Sequence, residues 1–121
     1  MLKIFGAPSR YVQGPDALSG LGAFAARLGR RAAVVSDPLV GKMIGERVLR
    51  LCAEEQVDAQ ISLVEGEVTH QKIAAVVESV RAHAPDLVIA AGGGKSIDIG
   101  KAVTNALKTR CLLYTSDAAD E

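Results

Sequence analysis

Cysteine is scarce in this chain: Cys52 and Cys111 are the only two in 121 residues. Two thiols are too few for a disulfide scaffold or a four-ligand metal site. An excess of one charge is also lacking, since 14 basic side chains balance 14 acidic ones. That balance gives no general pull toward nucleic acid or anionic lipid, so neither is expected as a partner. No apolar run approaches the roughly 20 residues of a membrane helix, and the start Met1-Leu2-Lys3-Ile4-Phe5 lacks the long apolar core of a signal peptide. The expected compartment is the cytoplasm. What is present, 49% apolar and 23% charged residues, is the composition of one globular domain.

Leu2 to Gln13 mixes β-formers with Gly6 and Pro8, predicting two short extended pieces around a turn. Asp16 is placed to cap a helix carrying Leu18, Leu21, Phe24 or Ala25, and Leu28 at helical spacing, with Gly29 to end it. Ala32-Ala33-Val34-Val35-Ser36 is a continuous apolar run closed by Asp37-Pro38, the pattern of a strand buried on both faces. From Gly41 an amphipathic helix places Ile44, Val48, Leu51 and Cys52 on one side. Alternation over Ala59–Leu63 predicts a second strand, and Thr69 caps a helix with Ile73, Val76, Val77, Val80 and Ala84 on its buried stripe, stopped by Pro85. Leu87-Val88-Ile89-Ala90-Ala91 is a third strand, apolar throughout, leading into Gly92-Gly93-Gly94 and a helix from about Lys95 to Leu107. Strands alternating with helices in the order βαβαβα predict an α/β fold, a Rossmann-like parallel sheet with helices on both faces.

Beyond Leu107 the helical period breaks. Cys111-Leu112-Leu113-Tyr114-Thr115-Ser116-Asp117-Ala118-Ala119-Asp120-Glu121 is identical to what one reading frame of a common transposase-type sequencing adaptor encodes. Residues 111–121 are therefore set aside from the fold, as a tag would be, the plainer reading being a disordered native tail, leaving residues 1–110 as the α/β domain. Removing Asp117, Asp120 and Glu121 leaves 14 basic side chains against 11 acidic, a mildly basic chain expected to be the front of a longer protein.

In an open parallel sheet, ligands bind outside the carboxyl ends of the strands. Two strands end there in residues that packing does not demand, Asp37 and the triple glycine. A glycine run between a buried strand and a helix lets backbone approach a ligand without Cβ clash and aims free helix N–H groups at an anion. Lys95 adds a point charge and Ser96 a hydroxyl donor in the same first turn. The run is not a P-loop, because Ile89 stands where the first glycine of that motif belongs. It is not the ordinary dinucleotide fingerprint either, because Ile97 occupies the sixth place and the acidic residue precedes the glycines. The same physical roles can still be filled: a carboxylate on the ribose hydroxyls from one strand end, a glycine turn on a pyrophosphate from another. A carboxylate there repels a 2′-phosphate and favours NAD over NADP. Two plainer readings stay open, a tight turn at the glycines and an ordinary Asp-Pro turn at Asp37.

Gly92-Gly93-Gly94-Lys95-Ser96-Ile97-Asp98-Ile99-Gly100-Lys101 resembles the GGGxxxDxxK signature of the iron- or zinc-dependent polyol dehydrogenases, whose fold dehydroquinate synthase shares. Lys at the fourth place, with Tyr11-Val12-Gln13-Gly14, Leu21-Gly22 and Val34-Val35-Ser36-Asp37, is similar to the glycerol-oxidising members. The resemblance implies NAD as cofactor, with Asp37 on the adenosine ribose, Gly92, Gly93 and Gly94 with Lys95 and Ser96 on the pyrophosphate, and Asp98 shaping the loop. It implies oxidation of glycerol to dihydroxyacetone by a longer homo-oligomeric enzyme. There, zinc or another divalent metal is held by one Asp and two His of a later helical domain that this chain does not contain. It leaves glycerol-1-phosphate dehydrogenase and dehydroquinate synthase as rivals, and from another class a nucleotide-binding fragment without catalysis.

The remaining candidates read as structural. His70 and His83 lie more than three turns apart on one predicted helix and cannot share a metal. Cys52 falls on a buried helix face, Lys101 suits an ion pair as readily as a site, and Glu65, Glu67 and Asp86 read as solvated charge.

Overall fold

A computed structural model of the chain describes residues 9–13 and 18–115. The elements are β1 (Ser9–Gln13), a short 3-10 turn (Leu18–Gly20), α1 (Leu21–Leu28), β2 (Arg31–Ser36), α2 (Pro38–Glu54), β3 (Asp58–Leu63), α3 (His70–Arg81), β4 (Leu87–Ala91), α4 (Gly94–Leu107) and β5 (Arg110–Thr115). The predicted alternation is observed. The first extended piece, the Asp16 cap and residues 116–121 lie outside the described residues.

All five strands are parallel, in the order β1-β5-β4-β2-β3. Strand side chains alternate between two cores, as their period of two requires. Ala32, Val34, Leu87 and Ile89 pack with Leu21, Ala25, Val48 and Cys52 under α1 and α2. Ala33, Val35 and Val88 pack with Val76, Val77, Val80, Ile99 and Val103 under α3 and α4. Ala90, Ile97, Cys111 and Leu113 form a smaller cluster near the start of α4.

The largest departure from the sequence reading is β5. Residues 111–115, set aside from the fold, are built into its middle, between β1 and β4. Cys111, Leu112, Leu113 and Tyr114 are all buried. The physical reason is the one that identified β2 and β4: a short apolar run with a neighbour on both edges and helices on both faces buries every side chain. Two smaller corrections concern helix ends. α2 begins at Pro38 and not Gly41, because Asp37 caps it and proline is pre-organised for the first helical position. α3 ends at Arg81, so Ala84 is exposed beyond the stripe, with φ of 52°.

The strand order locates the site. From β2 the chain moves outward to β3, then crosses back to β4 on the other side of β2. The sheet's order therefore reverses between β2 and β4, and a crevice opens at such a switch point.

Candidate functional site

β2 and β4 are in register with Ser36 opposite Ala91. The next residues on the two strands, Asp37 and Gly92, therefore stand side by side at the switch point.

Asp37 starts α2. Its backbone is extended (φ −76°, ψ 163°), and its Oδ1 accepts the Val40 N–H at 2.7 Å, the bond that satisfies a free donor of the first turn. Its Oδ2 accepts from the Ser96 hydroxyl at 3.4 Å. The plain reading of Asp37 as a turn former is thus part of the truth, since it caps a helix, but only one oxygen is used for that.

Gly92 has φ of +134°, a conformation L side chains rarely adopt. Gly93 then caps α4 with no side-chain hydrogen bond, and no acidic residue lies in the helix's first turn. The Ile97 N–H donates to the Gly93 carbonyl at 3.0 Å, so the preceding N–H groups of Gly94, Lys95 and Ser96 are the ones a helix start leaves without an intrahelical acceptor. A Cβ added at Gly93 or Gly94 would meet nothing within 4 Å. The backbone is open on that side, and a cavity of about 300 Å³ lies there between Asp37, the loop Val64–Gly66, residues 93–96 and Ile99.

The structure thus brings together Asp37, Gly92, Gly93, Gly94, Lys95 and Ser96. Asp98 is not brought to the loop: it sits on the exposed face of α4, outside the cavity, and bonds to none of the loop residues among those described. Lys95 is exposed and its Nζ lies 3.7 Å from Glu67 Oε2, so its charge is already paired.

Sequence reasoning missed three features. The loop after β3 reaches the cavity through Glu65 and Gly66, held by the Lys72 ammonium donating to the Glu65 carbonyl; solvated glutamates gave no signal of this. Gly100 fills the role that the ordinary fingerprint gives its third glycine, because a Cβ there would collide with Ala90 Cβ on β4. A lone glycine inside a helical pattern was the available signal. At the far end of the sheet, Asp86 is no idle charge: its Oδ1 accepts the Arg30 and Arg31 N–H groups, each at 3.0 Å, tying β2 to β4.

His83 is buried, its Nε2 2.9 Å from the Asp58 carbonyl oxygen, which is a structural role. Burial pushes the Cys52 thiol up to about 11, where it is neutral and not a nucleophile. Burial also raises Cys111, opposed by a Thr104 hydrogen bond and the charge of Lys101. Among the described residues no three His, Cys, Asp or Glu side chains converge as a metal site.

Residues 8–119 match the family described as Iron-containing alcohol dehydrogenase. The glycerol dehydrogenase of Citrobacter freundii is 33% identical over 103 residues, which are 85% of this chain and 28% of that protein. The glycolaldehyde reductase of Halobacterium salinarum is 36% identical over 103 residues, with the same shares. Among solved structures, that of a probable glycerol dehydrogenase from Sinorhizobium meliloti 1021 has a TM-score of 0.76 at 27% identity, covering 94% of this chain and 30% of that one. The chain spans less than a third of the length of the curated relatives it matches. With a parallel sheet whose switch point carries a glycine turn facing an aspartate, and a match that runs from β1 through β5, the chain belongs to the iron-containing alcohol dehydrogenase family.

Proposed function

We propose that this chain is the NAD-binding part of a longer, metal-assisted glycerol dehydrogenase, which converts glycerol and NAD to dihydroxyacetone and NADH. The observation that carries the reading is the α4 start, with its uncapped N–H groups behind an open glycine turn and the Asp37 carboxylate across the cavity. The residues fit a dinucleotide. Gly93 and Gly94 leave backbone donors accessible to a pyrophosphate, and the helix dipole adds favourable potential. Asp37 lines the cavity, where ribose hydroxyls can donate to its carboxylate, and its charge opposes a 2′-phosphate. Lys95 contributes a screened charge, and Ser96 contributes its main-chain N–H.

When bound, NAD supplies the hydride acceptor. The family resemblance implies that the metal would be held by an Asp and two His of the remaining protein, where it would polarise the alcohol oxygen. The polyol substrate, the homo-oligomer and the cytoplasmic location belong to the same reading. No helix among the described residues is long and apolar enough to cross a membrane.

Two measurements test it. Calorimetric titration of NAD into the 121-residue chain should show binding that Gly94→Val abolishes; normal binding by that variant moves the site elsewhere. Sequencing the gene past Lys108 and assaying the longer protein with glycerol, glycolaldehyde and glycerol-1-phosphate should give glycerol-dependent NADH formation. The Halobacterium salinarum relative supports a second reading, reduction of a small aldehyde, which a preference for glycolaldehyde would establish.

A further inference from the structure

We propose that Ser96 and Gly92 are positioning residues for Asp37, holding its carboxylate in the orientation that separates ribose hydroxyls from a 2′-phosphate. The inference rests on reading the cavity as a NAD site. The two oxygens of Asp37 are held by different elements: Oδ1 by the Val40 N–H of α2 at 2.7 Å, Oδ2 by the Ser96 hydroxyl of α4 at 3.4 Å. Rotation of a carboxyl group about its last bond is soft, so one tie leaves it free to turn and two fix its plane. Ser96 is only 3% exposed, which keeps water from competing for its hydroxyl. Gly92 makes the approach possible. A Cβ at that position would lie 3.0 Å from both Asp37 Oδ2 and Ser96 Oγ and would crowd both groups.

The Ser96 hydroxyl is therefore directed at the carboxylate and not at a phosphate. Removing it leaves the N–H groups of α4 in place and frees Oδ2. A freed carboxylate can turn away from a 2′-phosphate, which weakens the repulsion that disfavours NADP.

The test is calorimetric titration of AMP and of adenosine 2′,5′-bisphosphate into the 121-residue chain, together with carbon NMR of the Asp37 carboxyl group. Ser96→Ala should reduce the preference for AMP by about 3- to 10-fold, the size expected for the loss of one ordinary hydrogen bond. It should do so by tightening bisphosphate binding, and it should move the Asp37 carboxyl signal while the Val40 amide stays put. Ser96→Thr, which restores a hydroxyl, should recover both readouts. In the Asp37→Ser background, which keeps a capping side chain, Ser96→Ala should change the preference no further. Equal weakening of both nucleotides by Ser96→Ala would make Ser96 a phosphate ligand and overturn the proposal. So would an unchanged carboxyl signal, which removes the Ser96–Asp37 link alone. Binding of neither nucleotide by the unsubstituted chain overturns the NAD reading, and the discrimination with it.

Discussion

Helices α2 and α4 begin just past neighbouring parallel strands, at the same end of the sheet, and their first turns are built in opposite ways. α2 is closed by its own chain: Asp37 accepts the Val40 N–H, and Pro38 at the first helical position has no N–H to satisfy. α4 begins on Gly93, with no side-chain cap. The third long helix, α3, resembles α2, with the Thr69 hydroxyl accepting the Lys72 N–H at 3.0 Å. Identical topology thus produces a self-satisfied helix start or one with donors left for a ligand, and a single residue type at the cap decides which. Asp37 takes part in both ends of the comparison, since one of its oxygens closes α2 and the other faces the turn before α4.

The largest expected effect comes from filling the open start. Gly94→Val should weaken NAD binding more than about 100-fold, since a branched side chain stands where the ligand approaches. The melting temperature should stay nearly unchanged, because a Cβ there meets nothing within 4 Å. Loss of binding with an intact melt, followed by calorimetry and circular dichroism, separates ligand exclusion from unfolding; an unfolded variant would sink that distinction.

Next in size is the carboxylate itself. Asp37→Ser should shift relative affinity from NAD toward NADP by about 1 to 3 kcal/mol while keeping α2 capped. Unchanged relative affinity would reduce Asp37 to a helix cap. The third effect belongs to the closed starts alone: Thr69→Ala should cost about 1 kcal/mol in urea unfolding and leave nucleotide affinity untouched. A matching loss of affinity would mean that α3 also serves the cavity. The smallest is Lys95→Ala, expected to weaken NAD by less than about 1 kcal/mol because the ammonium is exposed and paired with Glu67. A larger loss, and one that salt removes, would shift the weight of phosphate binding from backbone to side chain.

Much of this comparison could be read before any coordinates. Apolar runs at 32–36 and 87–91 mark strands buried on both faces, and Asp37 with the glycine run stands where such strands stop. The Thr69 cap and the stripe Val76, Val77 and Val80 were equally legible, because caps and helical period are local properties. At the chain's far end, identity to an adaptor reading frame outweighed local pattern. Cys111–Tyr114 carries as strong a strand signal as Leu87–Ala91, but its place depends on an open slot between β1 and β4 that no window of sequence displays. The start of α2 was misplaced for a related reason, the Asp-Pro pair having been weighed as a turn when it is a cap with its first helical residue.

By itself the sequence determined the α/β alternation, the positions of the two chemically unusual strand ends and the family signature between residues 92 and 101. Each of these depends on residues close together along the chain. The tertiary structure decided what those residues do to one another. It put Ser36 opposite Ala91, so that Asp37 meets Gly92, and meets Ser96 across 59 residues of chain; it set Lys95 against Glu67 and Gly100 against Ala90, and it left Asp98 in solvent. Strand order and register produce those contacts, and both are fixed by burying two faces of one sheet at once, a condition that no short stretch of the chain contains.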